Sequence, residues 1–314
     1  IGALPWDRAE VRPHERTMRG PKEDRLALMR TTRTQTSAVF VLWDKAPGVG
    51  DALAAIVATE PRMSGRYAGE VADEDHRLWV VDDAATRDQL LGSVGASRLY
   101  IADGHHRFET AAAYAEERRA ESPGAPDDAD FALALLYLAA ADDPAIEVLP
   151  THRLVRPAEA VPHGLTDLEA RLDRGFVVVA QPTLAAAAAD ASSLRTTRHA
   201  FAIAATDGAA LVHAPRRSGA SPRARLDVTV LEEAILAGAC RLDAEQISGG
   251  ALGYTRSVAE AEAAVSSGNA ALAVCVNGAT TEEIIAVSDA GETMPQKSTY
   301  FYPKVPTGLV LSPL

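Results

Sequence analysis

Lysine is nearly missing from this chain: among 31 basic residues in 314, only Lys22, Lys45, Lys297 and Lys304 are lysines. Arginine serves wherever either cation would do, so the four lysines mark places where a compact ammonium has an advantage, contact with phosphate being one. Cysteine is scarcer still. Cys240 and Cys275 have neither metal-ligand spacing nor the density of a disulfide scaffold, which leaves buried thiols in a reducing cytoplasm as the expectation. No apolar run is long enough to span a bilayer, because Asp, Glu and Arg interrupt the alanine-rich stretches. A net charge of -12 repels a phosphate backbone, and no basic stripe with interleaved aromatics offsets it, which argues against nucleic acid. There is no Walker glycine loop, no Gly-x-Ser-x-Gly elbow and no His-Glu-x-x-His helix, so the common nucleotidase, serine hydrolase and zinc protease assignments lack support.

What is present is enough for a sizeable core, with 47% hydrophobic residues and room for one large domain or two of ordinary size. The opening "IGAL" reads as a strand entered midway, and a preceding segment is expected. "PKEDRLALMRTT" predicts a helix over about 22–33, with Pro21 suited to a first turn. "SAVFVLWD" reads as a buried strand, "GDALAAIVATE" as a helix, "HRLWVVDD" as a strand, "ATRDQLLGSV" as a helix and "RLYIA" as a strand. Such alternation predicts a mixed α+β protein, built from α/β layers. "FALALLYLAA" fits a strand or a buried helix. Past residue 157 the composition changes: "TLAAAAADASS" reads as a surface helix or insertion, "AFAIAATDGAALVHA" as a hairpin, and "LDVTVLEEAILAGACRL" as an amphipathic helix. Thr280 or Thr281 caps a further helix. The expected division is 1–156 and 157–314.

The densest chemistry lies in "RLYIADGHHRFETAAAYAEER". A strand ends at Asp103, Gly104 permits a sharp turn, and His105, His106 and Arg107 open a helix. First-turn N–H groups have no intrahelical partner and carry the positive end of the helix dipole, so this turn suits an anion. An arginine fork and imidazoles suit a polyphosphate. Asp103 can face Mg²⁺ or orient a hydroxyl. A plainer arrangement has Arg107 paired with Glu109 or a distant acid.

Two other stretches carry candidate groups. "RPHERTMRGPKEDR" supplies His14, Glu15, Thr17 and Lys22, and "MPQKSTYFYPK" supplies Lys297, Ser298 and Thr299, where an ammonium and two hydroxyls can close over phosphate or carboxylate. "LPTHRLV" offers His152 and Arg153 at a strand end, with buried-network and ligand roles both open. His14, His105, His106 and His152 have no spacing that compels a metal site.

"ADGHHRFETAAAY", together with "VRPHERT", "PKEDRLALMRTT", "LPTHRLV", "LDVTVLEEAIL" and "MPQKSTYFYPKVPTGLV" in that order, resembles the domain-of-unknown-function 1015 family (DUF1015). The Gly-His-His-Arg turn is also similar to that of the ParB and sulfiredoxin superfamily, which includes CTP-binding switches and free serine kinases. The turn has His105 where sulfiredoxin has cysteine, which disfavours sulfinic acid reduction. The resemblance implies a ParB/sulfiredoxin-like nucleotide-binding core over 1–156 and a second α+β region over 157–314, with 294–310 returning to the site. It implies a cytoplasmic phosphotransferase that uses ATP or ADP, or CTP, with Mg²⁺, and phosphorylates a small hydroxylated metabolite, free L-serine being the most specific choice. Gly104, His105, His106, Arg107, Lys22 and Lys297 then hold phosphate, and Asp103 holds the metal. Glu15 is the base, with Asp103 and His106 beside it. His14, Thr17, His152, Arg153, Ser298 and Thr299 bind substrate. The alternative is a nucleotide-sensing module without turnover, and a homo-oligomer is compatible with both.

Overall fold

The structure is a computed structural model and describes residues 1–5, 11–15, 17, 19–68 and 73–314. Arg16 and Met18, which fall within the N-terminal motifs, lie outside the described residues. The chain is a mixed α+β protein with several sheets, and it divides into two compact units. The first comprises Ile1–Arg12, Thr17–Asp143 and Val305–Leu314; the second comprises Pro13–Arg16 and Pro144–Lys304.

In the first unit a five-stranded sheet runs in the order Gly2–Pro5, Leu133–Ala140, Val39–Trp43, Leu99–Asp103, Val11–Arg12. Val39–Trp43 is buried along its whole length, as its unbroken apolar sequence requires of a central strand. Its neighbour Leu133–Ala140, open between strand and helix in the sequence, is a strand parallel to it. Val39, Val41, Trp43, Leu99, Ile101, Ala134 and Leu136 form one core face with Val49 and Val94 from two helices. The alternate spacing within each strand is what brings these residues to one side. Gln35 completes this sheet. Its side-chain Nε2 donates to the Leu133 carbonyl at 2.7 Å and its Oε1 accepts from the Leu135 N–H at 2.9 Å.

The helix predicted over 22–33 spans Arg19–Thr32. "HRLWVVDD" is corrected: the strand is Asp73–Leu78, ending before Trp79, and it pairs with Met63–Ala68 in a separate two-stranded sheet that the sequence reading omitted. The error has a physical source. Trp79 and Val80 look like strand interior by type, but the Trp79 indole N–H is committed to the Thr59 carbonyl, and tertiary bonding overrides local propensity.

The second unit holds a fully antiparallel six-stranded sheet in the order Val177–Gln181, Gly208–Pro215, Arg198–Ala205, Leu272–Val276, His152–Val155, Leu252–Thr255. The Asp-Gly hairpin is there, with Arg198–Ala205 and Gly208–Pro215 paired along their length. One face is small-residue packing: Ala202, Ala204, Ala273 and Cys275 meet Leu184 and Ala187 of helix Leu184–Ser193 and Ala261 and Val265 of helix Val258–Ser266. The alanine-rich helix is therefore a core element on one side and not an insertion. Thr280 is the cap of helix Thr281–Asp289 and forms a reciprocal capping box with Glu283. "LDVTVLEEAILAGACRL" begins as α-helix at Asp227–Val230 and continues as a π-helix over Leu231–Ala239. His152–Val155, grouped with residues 1–156 by the sequence division, pairs on both sides with strands of this sheet.

Gly278 supplies a stringent test of the packing. A Cβ there would stand 2.3 Å from the Val148 carbonyl oxygen, a backbone atom that cannot rotate away. Gly278→Ala is expected to destabilise the second unit by about 3 kcal/mol, the upper end of ordinary overpacking costs. A lower urea midpoint at unchanged slope would register it; an unchanged midpoint would show that the loop yields.

Candidate functional site

The turn singled out by sequence is formed as expected. The strand Leu99–Asp103 ends at its acid, Gly104 adopts φ 97° and ψ 29°, and the helix His105–Glu121 starts immediately. The left-handed conformation is the reason for glycine at this point. The first helical bond runs from the Phe108 N–H to the Gly104 carbonyl at 3.0 Å. A glycine cap brings no side-chain acceptor to the first-turn N–H groups, a role that the oxygens of an anion fill well.

Arg107 does not reach outward as the phosphate-binding expectation required. Its guanidinium folds back over the turn, and a Cβ on Gly104 would lie only 2.8 Å from its Nε. Nη1 donates to the Ser37 hydroxyl and the Ala38 carbonyl, and Nη2 stands 3.7 Å from Asp103 Oδ2. Burial pulls its pKa below the usual guanidinium value, Asp103 opposes that, and Arg25 adds to it. Arg107 is thus a brace between two strand ends. The brace extends further, because Ser37 and Thr307 share a hydroxyl–hydroxyl contact of 3.3 Å and the Gly308 N–H donates to the Thr36 carbonyl. Of the segment 294–310, expected to return to the site, it is the part from Val305 onward that lies in this unit.

His105 follows Gly104 as the first residue of the helix. It is 8% exposed, and burial pushes its pKa down to about 4, with Asp103 opposing and His106 reinforcing the shift. At neutral pH it is an uncharged imidazole and no cationic clamp. His106 is half-buried, and Asp103 keeps 43% of its side chain exposed.

Thr17 and Lys22 do come together, on a residue that the sequence reading considered only as an alternative partner for Arg107. Glu109 Oε2 accepts from Thr17 Oγ1 and from Lys22 Nζ, each at 2.6 Å. Burial pushes the Glu109 pKa up, but the bonds from Lys22 and Thr17 and the charges of Lys22 and His106 outweigh it, so the net shift is downward. The spacing was a usable signal, since Glu109 follows His105 by four residues and shares its helix face. Lys22 is therefore an ion-paired ammonium, half-exposed, beside the second turn of the helix. Glu15 lies in Pro13–Arg16 and belongs, like His14, to the second unit.

The remaining candidates belong to the second unit. His14 is buried, its Nε2 is 3.2 Å from Thr299 Oγ1, and its carbonyl accepts from the Met294 N–H at 2.7 Å. Ser298 is spent locally on the Pro295 carbonyl. Lys297 is exposed with a left-handed φ of 59°. His152 accepts the Val276 N–H on Nδ1 and, buried beside Arg153, has its pKa pushed down to about 4. Both thiols are buried, and burial pushes each up to about 12, which fits core residues. No described helix is long and apolar enough to cross a membrane.

Among solved structures, a free serine kinase in complex with AMP superposes with a TM-score of 0.48 at 15% identity, covering 98% of this chain and 89% of that one. SbnI with a C-terminal truncation, from Staphylococcus aureus, gives 0.47 at 12% over 99% and 86% of the two chains. A conserved hypothetical protein from Pyrococcus furiosus gives 0.46 at 15% over 98% and 92%. These scores mark a loose similarity of backbone trace. No curated protein matches the sequence. The model of the family described as "Protein of unknown function (DUF1015)" matches residues 2–229, most of the chain, and the protein therefore belongs to the DUF1015 family.

Proposed function

We propose that the protein is a nucleotide-dependent phosphotransferase acting on the hydroxyl group of a small metabolite, free L-serine being the first acceptor to test. The observation that carries this reading is the strand–Gly104–helix turn, with a left-handed glycine cap and an exposed carboxylate immediately before it. Such a turn holds phosphate oxygens by backbone N–H groups and the helix dipole. His106 adds a donor at its edge, and Arg107 keeps the turn rigid from behind. Rigid placement is most of what phosphoryl transfer asks of a protein.

Asp103 fits a Mg²⁺ ligand, since that ion takes one or two carboxylates and completes its shell with phosphate and water; when bound it would neutralise phosphate charge. Glu15 is the base in this reading. Its carboxylate takes the proton of the acceptor hydroxyl as the oxygen bonds to the terminal phosphorus. The bridging P–O bond breaks, and its electron pair leaves on the remaining nucleotide.

The test is incubation of the full chain with ATP, ADP or CTP, Mg²⁺ and a panel of hydroxylated metabolites that includes L-serine, followed by phosphorus NMR. A new phosphomonoester resonance is the expected result. A nucleotide present at 100 times its dissociation constant should also stabilise the fold by about 2.7 kcal/mol. Stabilisation without product, accompanied by a change of oligomeric state, would identify a nucleotide-sensing module instead. Neither stabilisation nor product would overturn both readings.

A further inference from the structure

The largest fully buried side chain in the protein is a cation. Arg153 lies on the strand next to the edge of the second unit's sheet, 1% exposed, with Val274 and Tyr254 in register on either side. Nη1 donates to the Thr151 carbonyl, and the guanidinium carbon stands 5.4 Å from the centre of the Tyr254 ring. Nη2 has no hydrogen-bond partner among the described residues. A buried guanidinium nitrogen without an acceptor is among the most costly groups a fold can carry, and natural cores contain few. Thr151, Tyr254 and apolar neighbours leave that nitrogen unmatched.

The surroundings define what would match it. Glu232, half-buried on the π-helical segment Leu231–Ala239, is near enough to act on the Arg153 charge, and no ion pair joins the two among the described residues. Burial draws the Arg153 pKa down and the Glu232 pKa up, and each opposes the other's shift by its charge. With Glu232 ionised, a monoanion on Nη2 leaves one surplus negative charge and a dianion leaves two, so the monoanion is the less costly guest. Tyr254 is the cover on the other side. It is 42% exposed and belongs to an edge strand held only by His152–Val155, so it can move aside without breaking the centre of the sheet. π-Helical segments recur at functional sites, where the extra residue re-aims side chains.

We infer that Arg153 Nη2 is the receptor of a binding site for a monocarboxylate inside the second unit, covered by Tyr254 and kept selective against phosphate by Glu232. The site does not rest on the phosphotransfer reading, because it is complete within one unit and needs no nucleotide.

The experiment is calorimetric titration of the full chain, without nucleotide, using sodium propionate, sodium lactate and inorganic phosphate as separate probes. The wild-type protein should bind the carboxylates and not phosphate. Glu232→Gln should tighten propionate binding by up to about tenfold, the effect of removing one nearby like charge, and should admit phosphate. Arg153→Met should weaken carboxylate binding by at least about tenfold, the loss of a charge-assisted bond. Should Arg153→Met fail to fold, Glu232→Gln decides the matter alone. Absence of carboxylate binding to the wild type, phosphate binding at least as tight as propionate, or a Glu232→Gln profile equal to wild type would each overturn the inference. Because nucleotide is left out, failure here leaves the phosphorus NMR result standing, and the reverse holds too.

Discussion

Glu15→Gln is expected to lower the rate of phosphate transfer by roughly 10²–10⁴-fold while leaving nucleotide affinity nearly intact, the ordinary worth of a positioned general base. The amide keeps the size and much of the hydrogen bonding of the carboxylate but cannot accept the hydroxyl proton. The loss should therefore fall on kcat, with the nucleotide dissociation constant moving little. Glu15→Asp should recover part of the rate, since it restores a base at slightly shorter reach. Equal losses in binding and turnover for Glu15→Gln, with no recovery by aspartate, would mean that the residue supports the fold and that the base lies elsewhere.

The second large effect is acid lability. Burial is the main reason that His105 and His152 each have a folded pKa of about 4, against 6.5 for an ordinary imidazole. The folded state binds fewer protons than the unfolded chain between those values, so folding is favoured fully above pH 6.5 and progressively less as pH falls toward 4. Each histidine should cost about 3 kcal/mol over that window, at 1.36 kcal/mol per pKa unit. The two sit in different units, so both units should lose stability as acid is added. For His152 the structural reason is specific: its Nδ1 accepts the Val276 N–H, and a proton on that nitrogen removes the acceptor. Urea midpoints measured at pH 8 and pH 4.5 should differ sharply in the wild type. His105→Gln and His152→Gln should each flatten the dependence, and an unchanged slope in either variant would assign the acid sensitivity to other groups.

The sequence made the motif turn legible because three local signals agreed there: an apolar strand, a glycine that tolerates a positive φ, and uninterrupted helix formers. The hairpin around Asp207 and the Thr280 cap were legible for the same kind of reason. What the sequence could not show was the destination of long side chains. Arg107 was read as a phosphate hook, with Glu109 or a distant acid as the alternative partner, yet it bonds to Ser37, 70 residues away in sequence, and Thr307 beyond that is further still. Glu109 drew Lys22 and Thr17 from 87 and 92 residues away. The charge of the His105 imidazole was not legible in the sequence, because its pKa is set by burial. Trp79 misled for a related reason, a strand-like residue captured by a distant carbonyl. For "LPTHRLV" a buried network and a ligand role were both open, and only the fold shows its arginine to be 1% exposed.

The brace behind the motif turn has a consequence for how the protein is made. Ser312 and Pro313 pair with Gln35 and Thr34, and Thr307 meets Ser37 across 270 residues of sequence, so the stretch that receives Arg107 is completed only after that much further chain has been made. A ribosome must complete all of Pro144–Lys304 before those residues exist. Val305–Leu314 can therefore join the first unit only after the whole stretch assigned to the second has been synthesised.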